Sequence, residues 1–375
     1  MPAPAQWKAS DLTPAVIKAS DGSIRTVTGQ RDGSRPDDAD ETDSVGVIFS
    51  ENFDDQPDWT ATMHTLEKYQ TVAAGNILPD NWDGIYQGTY WSPEKGYPDK
   101  HATLEILASN VDKARGGTGK SAVIWRESIV SGPTDWKSDS QMVRYIPDTT
   151  EIYAEFYIRF SHEWWQRAVE NTANWASKLF RLGRWNGNGN VFSGAMGDIG
   201  PLMIWDYKRD DWGVRNIVAL RGGSGGSSYY FNSGAAYSGV VNITYTNGSA
   251  GQEVGGTDPK VLNKVDGTWL VDSSGTATHD EVFGPTEHWT KIAFHLKMNS
   301  VTGATDGILS MFMDDQRILY RDNVPWILEG PVVGWNYVGI GGNHDWDPYP
   351  TEDQHEEWYA FDDLLVRDSL PENLQ

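Results

Sequence analysis

The stretch EIYAEFYIRF, residues 151–160, places aromatic and charged side chains at every second position. Side chains of a strand point alternately to opposite faces, so this period of two predicts one face in a core and one outside it. An ordinary solvent-facing side would carry Thr, Lys, Ser and Glu, whereas aromatic rings between charges favour a binding groove. The outward set comprises Tyr153, Glu155, Tyr157 and Arg159, and the inward set comprises Ile152, Ala154, Phe156, Ile158 and Phe160.

The stretch HWTKIAFHLKMN, residues 288–299, repeats this alternation. Its inward set is Ile292, Phe294, Leu296 and Met298, and its outward set is Lys291, His295 and Lys297. Histidine can exchange a proton near neutral pH, and lysine can pair with an anionic group. The two stretches therefore predict a wet groove that is able to hold a charged ligand.

The composition of the chain limits the classes of ligand that it could bind. The chain has a net charge of −23 and a pI near 4.6, which disfavours binding to nucleic acids and to anionic membranes. Aromatic residues make up 12% of the chain, and their rings can stack on the apolar faces of sugars. There is no cysteine and no apolar run of membrane-spanning length. The opening residues lack a signal peptide, which predicts an extracellular protein whose signal was removed, or a virion protein.

The elements that position these residues are short strands separated by Gly, Pro, Asn and Asp clusters, which predicts an all-β sandwich. One short helix is predicted over about 163–173, followed by a strand near 177–182. Residues 1–45 form a polar extended arm, a candidate for homo-oligomer or virion assembly. Residues 46–370 form the sandwich, residues 221–285 are a Gly/Ser-rich insertion at its rim, and residues 371–375 are a tail.

Several motifs resemble the concanavalin A-like jelly-roll polysaccharide lyases of the alginate, glucuronan and heparin lyase type. The motifs are YAEFYIRFSHEWW with SKLFRLG, HWTKIAFHLKMN, DGILSMFMDDQRILYRDN, EWYAFDDLLV and the opening ENFDD. The resemblance spans about residues 50–368. It implies a concanavalin A-like β-jelly-roll whose concave sheet is crossed by a polysaccharide or surface glycan.

The resemblance also implies β-elimination at a uronate, in which a cation stabilises the enolate-like intermediate while a Tyr or His moves the proton. Lys178 matches the lysine of the family's Lys-Leu strand, and this strand is expected beside the one that carries Tyr157. The catalytic candidates are Tyr157, His295 and Lys178. The substrate-binding candidates are Tyr153, Glu155, Arg159, Arg181 and Lys297.

Two other functions remain open from the sequence. The chain could be a non-catalytic glycan-binding or decoration protein of a virus particle, such as a phage, or a purely structural assembly protein. No cofactor is required by either function. The stretch HDWDPYPTEDQHEEW, residues 344–358, is rich in oxygen ligands and could bind Ca²⁺, whereas His344 and His355 are weak candidates for zinc. The closely spaced carboxylates of a retaining glycosidase are not found.

Overall fold

Two antiparallel sheets face each other across a core of aromatic and aliphatic side chains. The computed structural model describes residues 15–18, 24–27, 46–61, 77–87, 101–127, 137–170, 175–184, 201–210, 213–221, 253–255, 261–264, 269–270, 277–286, 288–327, 330–345 and 356–374. Every pairing between the strands of these residues is antiparallel.

One sheet has nine strands. They are β3 (Val47–Glu51), β4 (Trp59–Thr60), β6 (Leu104–Ile106), β7 (Ala122–Glu127), β9 (Glu151–Phe160), β16 (Thr290–Lys297), β17 (Gly307–Met313), β18 (Gln316–Val324) and β20 (Glu356–Arg367). The order across the sheet is β18-β17-β16-β9-β20-β7-β6-β4, with β3 also paired to β20.

The opposing sheet has seven strands. They are β5 (Gly84–Gln87), β8 (Lys137–Thr149), β10 (Trp175–Gly183), β11 (Leu202–Asp210), β12 (Gly213–Arg221), β13 (Glu253–Gly255) and β19 (Trp335–Asp345), in the order β13-β12-β11-β10-β19-β8-β5. Two small hairpins pair β1 (Ala15–Lys18) with β2 (Ile24–Val27) and β14 (Val261–Leu262) with β15 (Trp269–Leu270).

The helices in the described part of the chain are short. They are α1 (His162–Glu170), α2 (His279–Phe283) and 3₁₀ turns at Ala108–Lys113, Arg115–Gly117 and Glu372–Leu374. Helix α1 is the helix predicted over 163–173, and the last three residues of that prediction lie outside the described residues. The strand predicted over 177–182 is β10. Helix α2 lies inside the predicted Gly/Ser-rich insertion, where composition gave no helical signal.

The core is built from the inward halves of the alternating strands. Phe156 of β9 meets Phe180 of β10 at a ring-centroid distance of 4.6 Å and Trp205 of β11 at 5.8 Å. Phe156 and Phe294 are fully buried. The predicted alternation of 152–160 and of 291–298 is therefore confirmed, and it is the contact between these inward faces that joins the two sheets.

Helix α2 is held by a buried histidine. His279 is 2% exposed, and its Nδ1 lies 2.9 Å from the Tyr207 hydroxyl. Thr278 and Glu281 form a capping box at the start of the helix. Burial, with a smaller contribution from His288, lowers the pKa of His279 from 6.5 to about 3.

Acid should therefore weaken the fold through His279. The unfolded chain binds a proton below pH 6.5 that the folded His279 does not bind until about pH 3, so the stabilisation present above 6.5 is lost as the pH falls. We expect His279→Asn, which keeps an acceptor for Tyr207 but does not titrate, to show a shallower loss of unfolding free energy between pH 7 and pH 5. Urea titrations at the two pH values measure this. An equal loss of unfolding free energy between pH 7 and pH 5 in the variant and the native chain would contradict this expectation.

Candidate functional site

The sequence-predicted residues of β9 and β16 share the outer face of the nine-stranded sheet. Tyr153 pairs with His295 and Tyr157 with Lys291 in the register of these strands. Tyr153, Glu155, Tyr157, Arg159, His295 and Lys297 thus lie on one surface, and Phe156 and Ile158 lie on the other side, in the core.

Most of these groups are engaged with one another. The Tyr153 hydroxyl donates to Glu155, which also pairs with Lys291 at 2.9 Å. Glu151 accepts from His295 and from Lys297, both at 2.9 Å. Burial lowers the pKa of His295, although Glu151 opposes the shift, and burial together with Glu155 raises the pKa of Tyr153. A phenol held in its neutral form is a poor base, and Tyr153 is fully buried.

Two further chain segments, residues 112–115 and residues 370–374, also lie on this face of the nine-stranded sheet. The Arg115 guanidinium stands 3.6 Å from the centre of the Tyr157 ring, and Arg159 donates to the backbone oxygen of Asp112 at 2.8 Å. Leu370 and Leu374, near the end of the chain, pack on Tyr153, Ala293 and Phe312. Burial raises the pKa of Tyr157, although Lys291 and Arg115 oppose this shift. The contacts around Tyr157 and Arg159 are those of a packed surface layer.

Lys178 and Arg181 lie on the other sheet, which corrects the expectation that their strand neighbours that of Tyr157. Strand β10 pairs with β11 and β19 and not with β9 or β16. Ser177 accepts from Arg126 between the sheets, so the next residue, Lys178, points outward. Arg181 donates to Gln141 on the outer side of β8. The eight predicted residues are thus divided between the two opposite outer faces of the sandwich.

The outer face of the seven-stranded sheet carries a cationic layer, which we call the basic face. Lys178 stands opposite Asp206 in the register of β10 and β11, and Lys208 stands opposite Arg215 in that of β11 and β12. The polar members whose side chains the structure describes are Gln141, Lys178, Arg181, Asp206, Lys208 and Arg215. Lys178 and Lys208 are half-buried, and the other four are at most 5% exposed. Among the side chains that the structure describes on this face, four cations stand against one carboxylate, which makes this described part positive in a strongly acidic chain.

An apolar patch adjoins the basic face. Val143, Leu202, Ile204, Ala219 and Tyr337 are buried there, and the half-buried Tyr145 packs against them. Burial, and then Asp83, raises the pKa of Tyr145, so its phenol keeps its proton at neutral pH. A surface with apolar area beside a few placed polar groups is what a small-molecule or sugar site requires.

Sequence reasoning missed Gln141, Asp206, Lys208 and Arg215. The signal for Asp206 and Lys208 was present in LMIWDYKRD, where Met203, Trp205 and Tyr207 alternate with Ile204, Asp206 and Lys208. This is the same period of two that singled out β9, with polar side chains on the outward positions. Arg215 follows on the next strand.

The metal candidates give no site in the part of the chain that the structure describes. His344 is 2% exposed, and burial, with the positive charges of Arg126, Arg167 and Lys178, lowers its pKa well below the ordinary value. His355 and most of the stretch 344–358 lie outside the described residues. Within those residues no three His, Cys, Asp or Glu side chains form a metal-binding group, and no helix is long and apolar enough to cross a membrane.

The architecture is a jelly-roll β-sandwich, as the sequence predicted. No family model and no curated protein matches the sequence. Among solved structures, an alginate lyase aligns over 86% of this chain and 98% of its own, with a TM-score of 0.43 and 13% identity. An alginate lyase from Aplysia kurodai covers 85% and 98%, with a TM-score of 0.42 and 8% identity.

An endo-β-1,4-glucuronan lyase from the fungus Trichoderma reesei is also similar, covering 81% of this chain and 95% of its own, with a TM-score of 0.37 and 12% identity. These structural neighbours are enzymes of the type that the sequence motifs resemble. The roles of the residues rest on the geometry of the basic face.

Proposed function

We propose that the chain binds a uronate-containing polysaccharide on the basic face and cleaves it by β-elimination. The observation that carries the proposal is the concentration of Lys178, Arg181, Lys208 and Arg215 on one sheet face of a chain whose net charge is −23. Burying a charged side chain costs more free energy than burying an apolar one. Cations that are kept at such positions therefore point to a role in binding anions.

The charge arrangement suits carboxylates. Lys178 and Lys208 are half-buried and so reach the surface, while Arg181 is buried and is oriented by Gln141. A carboxylate pairs with lysine or arginine through charge-assisted hydrogen bonds, and these strengthen where water is partly excluded. In the adjoining apolar patch, the half-buried Tyr145 is the side chain that a sugar ring can contact.

β-Elimination needs a cation, a base and an acid. The base removes the proton on the carbon next to the carboxylate, a carbon–carbon double bond forms, and the bond to the glycosidic oxygen breaks as that oxygen takes up a proton. Lys178 is the group that stabilises the enolate-like charge, which agrees with the motif resemblance. Tyr145 is not the acid of this step, because its register partners place it at the level of Gly183, five residues along β10 from Lys178, which is about 16 Å. No base or acid is assigned to the described residues of the basic face.

A second candidate function is glycan binding without cleavage. It is favoured by the position of Tyr157 and His295, the predicted proton-transfer groups, on the opposite face of the sandwich from Lys178. Under either function the protein works outside a cell or on a virus particle, with the arm of residues 1–45 as an assembly element. Within that arm, β1 and β2 form a hairpin.

A panel of alginate, glucuronan and glycosaminoglycans tests both functions. We expect ultraviolet absorbance from the unsaturated uronate product with at least one of these polymers, because elimination leaves a double bond conjugated to the carboxylate. Retention on an immobilised polyuronate without any product would select the binding function. Neither product nor retention across the panel would contradict both.

A further inference from the structure

Lys178 and Arg181 share a face only because β10 contains a bulge. Residues three apart in a regular strand point to opposite faces. Against β11 the register shifts between Lys178 and Phe180, where β10 has one residue more than its partner. Against β19 it shifts between Ser177 and Phe180, where the extra residue is on β19, in the stretch that contains Gly342. Leu179 and Phe180 are both fully buried in the core, so the extra residue returns Arg181 to the outside. Without the bulge, Arg181 would point into the hydrocarbon core.

One glycine on the neighbouring strand makes room for the bulge. A Cβ atom added to Gly342 of β19 would lie 2.2 Å from the Lys178 backbone oxygen and 2.9 Å from the Lys178 Cβ. Real Cβ atoms essentially never come that close, and the obstacle is backbone, which cannot rotate away. Gly342 does not have a positive φ, so what the position requires is space.

The inner side of the bulge is held by a hydrogen bond. Arg126 donates to the Ser177 hydroxyl at 3.1 Å, in a region where both side chains are at most 2% exposed. Arg126 is itself bound by Glu357. The residue before Lys178 is therefore anchored between the sheets, while Gly342 lets the backbone at Lys178 approach β19.

We propose that Gly342 is a positioning residue that fixes the orientation of Lys178 and keeps Arg181 on the basic face, with Ser177 in a supporting role. The importance of this orientation for glycan binding rests on the proposed function. The orientation itself does not, and it can be measured without any glycan.

Chemical labelling of lysines in the full-length chain measures the orientation of Lys178. The protein is acetylated with N-hydroxysuccinimidyl acetate, and the labelling rate of Lys178 is compared by peptide mass spectrometry with that of Lys297, whose side chain is 52% exposed on the other sheet. We expect Gly342→Ala to raise the labelling rate of Lys178 relative to that of Lys297 by about threefold or more. The reason is that displacement of the bulge frees the Lys178 amine.

Gly339→Ala is the matched control. It lies on the same strand, and a Cβ atom there would meet nothing closer than 3.7 Å. We expect it to leave the ratio unchanged. Ser177→Ala should shift the ratio in the same direction as Gly342→Ala but less, and it decides the question if Gly342→Ala does not fold. Equal ratios in the native chain, Gly342→Ala and Ser177→Ala would overturn the proposal.

A double-mutant cycle then connects the bulge to binding. If the native chain is retained on a polyuronate, Gly342→Ala should weaken its affinity by about tenfold, with much less further loss in a Lys178→Ala background, because the two residues act through one group. Additive losses would mean that Gly342 does not act through Lys178 and would overturn its role in positioning that residue. A native chain that binds no polyuronate would contradict the proposed function and leave the labelling result to decide the inference.

Discussion

Replacing Glu357 with glutamine is expected to lower the free energy of unfolding by about 3–5 kcal/mol, the range found when one partner of a buried ion pair is removed. Glu357 is fully buried and accepts from Arg126 at 2.5 Å and from Arg167 at 2.6 Å. Both guanidiniums are at most 2% exposed. Glutamine keeps the shape of the side chain but takes away the negative charge that balances two buried cations. Urea or thermal unfolding measures the loss.

The neighbouring residue provides the control. Glu356 points to the other side of β20, is 8% exposed and pairs with His101 at 3.6 Å, a longer contact nearer the surface. We expect Glu356→Gln to cost about 1 kcal/mol or less, in the range of ion pairs close to solvent. Similar losses for both variants would show that the charge of Glu357 is not what stabilises the region between the sheets.

Removing the cations of the basic face should have the largest effect on function. We expect Lys178→Met to weaken polyuronate binding by about tenfold to a hundredfold, the usual worth of a hydrogen bond to a charged group. If unsaturated product is formed, its rate should fall by about 100-fold to 1000-fold, since the cation acts on charge that develops during the reaction. Arg181→Gln should also weaken binding, because it removes a second positive charge. Retention on polyuronate resin and absorbance of the product measure the two effects.

The charge-matched comparison is Arg317→Gln on β18. Arg317 is exposed at the edge of the nine-stranded sheet, where its guanidinium lies 4.6 Å from the Tyr320 ring. The Arg317→Gln substitution removes the same unit of charge from the protein as Lys178→Met, and it should leave polyuronate binding unchanged. A loss with Lys297→Met, without one with Lys178→Met, would place the ligand on the nine-stranded sheet and refute the assignment of the basic face.

The alternation of side chains in β9 and β16 could be predicted from the sequence because burial imposes a period of two directly on residue types. The turn at Asp314-Asp315 could be predicted for a similar reason, since both residues adopt positive φ, a conformation that Asp tolerates. These local features define the strands, their inward faces and the hairpin of β17 and β18.

The division of the candidate residues between two sheets could not be predicted in this way. A period of two tells which side of a strand is buried, and it does not tell which strands will be its neighbours. Lys178 and Tyr157 therefore looked compatible with one groove. The bulge at Leu179–Phe180 is also hidden in the sequence, because it depends on the space that Gly342 leaves on a strand more than 150 residues later. Only tertiary contacts reveal it.

The strand order has a consequence for biosynthesis. The last two strands that the structure describes, β19 and β20, occupy interior positions, with β19 between β10 and β8 and β20 between β9 and β7. Neither sheet can close until the ribosome has released β19 and β20. Strands that are this far apart in sequence are slow to pair. Until they pair, their unpaired edges can aggregate. Nascent chains should thus depend on chaperones, and truncations that remove β20 should accumulate as insoluble protein.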